Sequence, residues 1–424
     1  MLLRHCNGLA GKRVRTVSGR TISIDSSTAN MIRQVLQPLR NLRAYARLPV
    51  AAREQHRLDH RGLPSHDPGI ERSIAEALAW LGRAQDCSAT ADGGFARHYS
   101  LVSGWGPSYP ETTGYIIPTL LDCSAESGQP EPRERARRAL DWLVSIQLPG
   151  GGFQGGTVDA TPVVPVTFNT GQILMGLAAG VREFGSEYEA AMTRAADWLV
   201  QTQDADGAWR SHPTPFAAPG DKVYETHVAW GLMEAERVAP GRGYGDAALS
   251  NVRWALTRQA HNGWFADCCL VQPLQPLTHT IGYVLRGVIE AYRLSGDPEF
   301  LSAARRTADG LLAAIRPDGA LPGRIDAAWK GAVPWTCLTG NVQIAHCWMM
   351  LHQYVDHEPW REAAFGATKY VRRTLSIQGP PEIRGGVKGS FPVDGGYGRY
   401  EYLNWAAKFM IDALRLERAL RSAT

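Results

Sequence analysis

The 424-residue chain lacks any apolar run of about 18 residues, so it offers no transmembrane helix. It has little net charge. Forty-five Lys and Arg against 41 Asp and Glu leave +4, too small an excess for a dedicated nucleic-acid binder. No Cys-x-x-Cys pair occurs. The seven cysteines are scattered and odd in number, and the adjacent Cys268 and Cys269 cannot easily serve as a pair of zinc ligands. Such usage fits reduced thiols in a cytoplasmic protein. The N-terminus, Met-Leu-Leu-Arg-His-Cys-Asn-Gly, lacks the apolar core of a secretory signal. At 44% hydrophobic and 20% charged residues, the chain is neither disordered nor collagen-like.

Charge is unevenly spread. Residues 1–66 carry 12 Lys and Arg against 3 Asp and Glu, which leaves the remainder mildly acidic. A basic arm of this kind suits either docking on an acidic body or peripheral contact with anionic lipid.

The strongest signal is internal repetition. Trp80-Leu81 leads to Gln85, Trp142-Leu143 to Gln147, Trp198-Leu199 to Gln203 and Trp254-Ala255 to Gln259, with the tryptophans 62, 56 and 56 residues apart. Fainter copies fall at Gly310-Leu311-Leu312 and Tyr370-Val371. A glycine turn follows each copy: Asp92-Gly93-Gly94-Phe95, Gly150-Gly151-Gly152-Phe153, Asp206-Gly207-Ala208-Trp209, Asn262-Gly263-Trp264-Phe265, Asp318-Gly319-Ala320 and Asp394-Gly395-Gly396-Tyr397. Glycine after the last helical turn supplies a left-handed C-cap. A second helix then starts at Thr113, Thr170, Thr226, Ile281, Thr339 and Tyr400, with threonine suited to an N-cap. The first helix of each pair is amphipathic and the second apolar nearly all round, hence buried on every side.

Six such hairpins bury their faces by closing into a ring. The expected fold is therefore all-α, an (α/α)6 barrel over residues 69–424, preceded by a basic extension over 1–68 that is helical over 28–47. Topology then places the site. The long outer-to-inner connections and the inner-helix N-termini share one end of the ring, where loops on a rigid scaffold carry function and helix N-termini favour anions.

At that end the sequence gathers aromatic, acidic, imidazole and cationic groups. The acid–base candidates are Glu111, Glu225, His227, His279 and Glu401, assisted by Tyr109, Tyr115 and Tyr400. Candidates for binding substrate are Trp105, Tyr109, Trp209, Arg210, Trp264, Arg324, Trp335, Asn341, Lys388 and Asn404. Aromatic faces stack on sugar C–H faces, and Arg or Lys suits a uronate. A carboxylate pair such as Glu111 with Glu225, or Glu225 with Glu401, supports glycoside hydrolysis. His227 or His279 with a tyrosine supports β-elimination or C5-epimerisation. Each residue also has a plainer use: Glu111 decorates a helix start, Glu225 and His227 cap one, His346 sits deep in its helix as a core histidine, and the repeated tryptophans pack. No cofactor or metal is called for, and the expected partner is an oligo- or polysaccharide, lipid-linked forms included.

The Trp-Leu-x-x-x-Gln and Asp-Gly-Gly-Phe pattern resembles the repeats of terpenoid cyclases and protein prenyltransferases over most of residues 70–400. The repeat marks the toroid rather than the chemistry. The Asp-x-Asp-Asp acid of class II cyclases is absent, and Asp267-Cys268-Cys269 with His346 only superficially matches a prenyltransferase zinc set, since the pair lies ten residues before Thr278. The same ring serves six-hairpin glycosidases, uronate lyases and sugar 2-epimerases. As a whole the chain resembles bacterial proteins linked to exopolysaccharide biosynthesis. That resemblance rests on Gly104-Trp105-Gly106-Pro107-Ser108-Tyr109-Pro110-Glu111-Thr112-Thr113-Gly114-Tyr115 and on Gly385-Gly386-Val387-Lys388-Gly389-Ser390-Phe391-Pro392, continuing at Tyr400-Glu401-Tyr402-Leu403-Asn404-Trp405. It implies a carbohydrate-active enzyme: a hydrolase, a lyase or an epimerase. Two other readings stand beside it. An isoprenoid enzyme of the cyclase type predicts a cleft lined by aromatics without a cluster of carboxylates and histidines. A glycan-binding protein predicts saturable binding without product.

Overall fold

The computed structural model describes residues 13–15, 21–23 and 45–423. Its contacts divide the chain into two units, Met1–Arg57 and Leu58–Thr424. In the first, β1 (Arg13–Arg15) pairs antiparallel with β2 (Thr21–Ser23), Val14 facing Ile22. This short hairpin was not expected from the sequence. Of the helix expected over 28–47, residues 28–44 lie outside the described residues. Helix α1 (Val50–Asp59) contains the division point.

The second unit is a ring of six helical hairpins. The outer helices are α2 (Ile70–Asp86), α4 (Glu131–Ser145), α6 (Glu189–Gln201), α8 (Tyr244–Leu256), α10 (Pro298–Ala314) and α12 (Glu358–Arg373). The inner helices are α3 (Pro110–Ser127), α5 (Thr167–Phe184), α7 (Thr226–Val238), α9 (Thr278–Ser295), α11 (Leu338–Val355) and α13 (Asn404–Ser422). Each inner helix packs on the next, and α13 returns to α2 and α3 to close the ring. No described helix is long and apolar enough to cross a membrane.

The repeated motif has a mechanical basis. The side-chain amide of Gln147 donates to the Gly151 carbonyl of its own turn and to Ala191 of the next outer helix, both at 2.9 Å. Gln203 repeats this with Gly207 and Ala247 at 2.9 Å. Gln259 does so with Gly263 at 3.4 Å and Ala303 at 2.9 Å. Each glutamine thus bolts a turn to the following hairpin. Trp142 and Trp198 close the same joints, their rings lying where a Cβ at Gly94 or Gly152 would stand.

The threonines do a different job from the one expected. The inner helices α3, α5 and α9 begin about one turn before Thr113, Thr170 and Ile281, and their N-caps make no side-chain capping bond. Thr113 Oγ1 instead accepts from the Phe95 amide at 3.0 Å, and Thr170 Oγ1 from the Phe153 amide at 2.9 Å. These hydroxyls satisfy backbone donors of the glycine turns, which would otherwise be buried unpaired. In the sixth hairpin the expected helix start at Tyr400 is a turn with φ 60°, and the chain then runs as a short strand before α13 begins at Asn404. Strand β7 (Glu401–Leu403) pairs with β3 (His98–Ser100), itself paired with β4 (Gly104–Trp105), so a small sheet ties the last hairpin to the first. A second pair, β5 (Thr336–Cys337) with β6 (Ser390–Phe391), ties the fifth to the sixth.

Close approach of the inner helices depends on glycine. A Cβ at Gly231 of α7 would overlap the Gly171 carbonyl of α5, and one at Gly176 of α5 the Gly114 carbonyl of α3. Gly231→Ala is therefore expected to destabilise the ring by about 2 kcal/mol, read as a lower urea midpoint. A wild-type midpoint would show that these helices yield.

Candidate active site

The first turns of the inner helices converge on a cavity of about 360 Å³. Helix α3 contributes Glu111 and Tyr115, four residues apart on one face, with Tyr109 at its N-cap. Helix α9 contributes His279, Thr280 and Tyr283, α5 contributes Phe168 and α13 contributes Trp405. Loops add Arg97, Thr214, Phe216, Tyr224, Leu270 and Tyr397. Eight of these fourteen side chains are aromatic rings of Tyr, Phe or Trp, and among the described residues Glu111 is the sole carboxyl lining the cavity.

Glu111 is the cavity's buried acid. Burial raises its pKa to about 7, against the opposing pull of the Tyr109 hydroxyl and the Arg97 charge. The Tyr109 hydroxyl donates to Glu111 Oε2 at 2.7 Å. Burial also holds Tyr109, Tyr115, Tyr224, Tyr283 and Tyr397 well above the ordinary phenol value, and Glu111 adds to the effect on each. At neutral pH these five hydroxyls are therefore neutral donors around one carboxyl poised to hold or release a proton. The Tyr115 hydroxyl is buried without a partner at hydrogen-bond geometry, although Tyr283 lies beside it.

His279 is the imidazole that lines the same cavity. Its Nδ1 lies 2.6 Å from Gln343 Oε1, an acceptor, which places the ring proton on that nitrogen and leaves a lone pair on Nε2. Burial lowers its pKa to about 4, so the ring is neutral at pH 7. His227 mirrors it, with Nδ1 2.6 Å from Gln172 Oε1 and a pKa pushed well down by burial. The two imidazoles flank Tyr283 at 4.3 and 4.4 Å between ring centroids. His227 does not itself line the cavity. Arg97 stands over the Trp405 ring at 5.2 Å and pairs with Glu401 at 3.1 Å, and Trp405 Nε1 donates to the Tyr397 hydroxyl at 2.9 Å.

Of the residues singled out in the sequence, Tyr109, Glu111, Tyr115 and His279 line this cavity. Glu401 stands behind it as the partner of Arg97, and Tyr400 is buried with its backbone at φ 60°. Glu225 is buried in the turn before α7, raised well above the usual carboxylate range by desolvation, and contributes nothing to the wall. The structure thus brings one carboxyl into the cavity, not a pair.

Most of the expected binding residues build the walls. Trp105 packs on Trp80 at 5.4 Å, Trp264 on Trp329 at 5.4 Å, and Trp335 fills the space beside Gly323 and Gly396. Trp209 Nε1 donates to Leu199 O at 2.9 Å. Arg210 is bound by Asp204, Asp206 and Asp221 at 2.7 to 2.8 Å. Arg324 donates to Gln275 O at 2.7 Å and Asn404 to Ala96 O at 2.9 Å. The Asn341 oxygen accepts from the Leu321 amide at 2.7 Å, the role Thr113 plays in the first hairpin. Lys388 forms a buried ion pair with Asp59 at 2.6 Å. Tyr224, Tyr283 and Tyr397 line the wall without having been named as site candidates, although the sequence places each within two turns of an inner-helix start or in the loop before it.

A family model for the squalene-hopene cyclase C-terminal domain matches residues 109–287. A curated relative, drimenyl diphosphate synthase of Streptomyces showdoensis, is 28% identical over 162 residues. That match covers 38% of this chain and only 27% of the relative's length. Among solved structures, an unsaturated glucuronyl hydrolase specific for heparin is 16% identical, with a TM-score of 0.67 over 83% of this chain and 98% of that one. D-mannose isomerase is 13% identical with a TM-score of 0.65, over 85% of this chain and 100% of that one. Cellobiose 2-epimerase from Bacillus thermoamylovorans is 10% identical with a TM-score of 0.62, over 82% and 98%. At such identities the likeness establishes the six-hairpin (α/α)6 toroid and leaves chemistry to the site.

Proposed function

We propose that the protein is a sugar-acting enzyme of polysaccharide biosynthesis whose chemistry is proton transfer, either β-elimination or epimerisation. The observation that carries this reading is Glu111: a single buried carboxyl, half-protonated near neutrality, among tyrosine hydroxyls in a cavity it shares with a neutral histidine. Hydrolysis by paired carboxylates needs a second acid in the same space. Elimination or epimerisation needs a base at the carbon acid, donors for the developing enolate, and an acid. His279 Nε2 fits the base, Tyr115 and Tyr283 the donors, and Glu111 the acid that protonates the leaving oxygen in elimination. Aromatic rings present faces to a pyranose, and Arg97 offers a charge to an acidic one. The sugar-acting names of the structural neighbours agree with this reading. Six free cysteines among the described residues support a cytoplasmic setting.

The test is a panel of neutral and uronate-containing oligosaccharides, followed by unsaturated-uronate absorbance, reducing ends and epimer analysis. A rise in absorbance with new ends is the expected elimination result, and a changed epimer with neither signal is the expected epimerase result. Reducing ends alone would establish hydrolysis and overturn the proposal.

An isoprenoid cyclase is the second reading, favoured by two observations. The aromatic wall holds one acid and one histidine rather than a cluster of them, as a cyclase cleft requires, and the cyclase family match runs from α3 into α9, which carry most of that wall. Cyclisation of a linear isoprenyl diphosphate, with the whole sugar panel silent, would move Glu111 to the role of initiating acid.

A further inference from the structure

Beyond the floor of the active cavity the inner helices enclose a second chamber, of about 350 Å³. Tyr115 stands in the walls of both. From there the lining follows the helices toward their C-termini. Trp230 of α7 and Lys408 of α13 come first, then Glu234, and finally Arg182, Arg237 and Arg293 in the last turns of α5, α7 and α9. An adjoining recess of about 310 Å³ shares Trp230 and Lys408 and adds Arg286 from the middle of α9. Four guanidiniums meet here over two carboxylates. Arg182 donates to Glu234 at 2.7 Å, and Arg237 donates to the same carboxylate. Arg286 and Arg293 donate to Glu290 at 2.8 and 2.9 Å, and Arg237 lies 3.5 Å from it. Four positive charges on two negative ones leave an excess of two. Lys408 is balanced by Asp412 at 2.6 Å. Asp122 and Glu126 are held by Arg415 and Arg418 on the other side.

We propose that this chamber is a second ligand site, for a small molecule that carries a phosphate group. An excess of two positive charges matches a phosphate dianion, and guanidinium forks match its oxygens in pairs. Donors remain for it: Arg182 gives Nη1 alone to Glu234, which leaves most of its N–H groups for a ligand. Helix dipoles account for part of the arrangement, since each last turn favours a cation. They do not account for Arg286, in mid-helix, or for Lys408, near the start of α13. These two carry charge into the ring, with side chains 13% and 3% exposed. Buried pairs of this kind often fail to repay their desolvation, which favours a use in binding over one in stability. The chamber is roomier than a bare phosphate requires and falls in the size range of small-molecule sites. Trp230, Met175 and Pro118 offer apolar contact to the rest of such a molecule. Through Tyr115 it would meet the underside of the active cavity's floor. The inference stands whichever reaction that cavity performs.

The experiment is isothermal titration calorimetry of the full-length chain at about 0.15 M salt. The probes are inorganic phosphate, pyrophosphate and glucose 1-phosphate, with glucuronate as the control that lacks phosphate. Saturable binding of at least one phosphate with a Kd below about 1 mM is expected, and the order of the three tells a free anion from a sugar phosphate. The double variant Arg182→Gln, Arg293→Gln is expected to weaken binding by about tenfold or more. Its melting midpoint without ligand should be unchanged, because both side chains are over 40% exposed and such ion pairs contribute little. Glu234→Gln removes a competing carboxylate and is expected to tighten binding severalfold. Arg97→Gln, in the active cavity, should leave it unchanged. Three results would each overturn the proposal: no saturable heat with any phosphate, glucuronate binding as tightly as the phosphates, or affinity lost in Arg97→Gln and kept in the double variant.

Discussion

Glu111→Gln is expected to lower turnover by about 10²–10⁴-fold and, at the same time, to stabilise the protein above neutral pH. The loss follows from removing the one titratable acid in the cavity while keeping its shape and its acceptor for Tyr109. The gain follows from linkage. Burial raises the Glu111 pKa from 4.5 to about 7 in the folded chain. The folded state therefore holds its proton more tightly than the unfolded state. Stability from this group is full below pH 4.5, falls as pH rises towards 7 and is flat beyond, a loss of about 3 kcal/mol. Glutamine has no proton to lose, so its curve stays level. Urea titrations of the two proteins should coincide near pH 4 and separate in favour of the variant at pH 8. Equal stability at pH 8 would mean that Glu111 is solvated and ordinary, which would remove the basis of its role as acid.

The same two groups set the expected pH dependence of catalysis. The rate constant kcat/KM reports free-enzyme protonation states. Activity needs Glu111 protonated and His279 neutral, so it should fall as pH rises through about 7 and as pH drops through about 4. His279→Ala should remove the lower limb with the rate, and Glu111→Gln the upper one. A profile flat across pH 6 to 8 would exclude Glu111 as the proton donor.

The ring was legible because its repeat encodes joints, not surface. A tryptophan and a glutamine at fixed spacing before a glycine turn can be read directly, since each has a single mechanical use between neighbouring hairpins. Glu111, Tyr115 and His279 were legible for a related reason: a polar group in the first turn of an otherwise apolar helix has few packing roles to fill. Trp209, Trp264 and Trp335 misled because a loop tryptophan looks the same in sequence whether it faces a cavity or plugs a wall. Here each plugs a wall: Trp209 bonds Leu199 O, Trp264 packs on Trp329, and Trp335 fills the space beside Gly323 and Gly396. Phe168 and Trp405 failed in the opposite direction. On apolar helices they read as core, and only the ring geometry turns them toward the centre. Tyr400 and Glu401 were placed at a helix start because the repeat spacing pointed there. The chain turns at Tyr400 and spends Glu401 on strand pairing with β3, which the period of the repeat cannot express.

Closure of the ring rests on more than strand pairing, and Arg372→Met should expose this as a loss of about 3 kcal/mol. Arg372 ends α12, and its guanidinium is almost fully buried. It reaches Asp67, just ahead of α2, through two bonds of 2.9 and 2.8 Å, and Glu417 of α13 at 2.9 Å. One cation thus links the last hairpin to the first helix. Glu417 has no solvent exposure, so losing Arg372 strands a buried carboxylate with Thr368 and Arg421 as its remaining partners. Removing both sides together, as Arg372→Met with Glu417→Met, should cost less than the single change, because no uncompensated charge is left inside. The pair also carries a pH signature. Arg372 holds the Asp67 carboxyl below its ordinary 3.8, despite the opposing effect of burial. That contribution is complete above 3.8 and is lost as pH falls through the lowered value. In the Arg372→Met protein the acid limb of the stability curve should begin at higher pH than in the wild type. Urea midpoints from pH 2 to pH 7 for the wild type, the single variant and the double variant decide the matter. A single-variant cost below about 1 kcal/mol would mean that the ring closes on helix packing and the β3–β7 ladder alone.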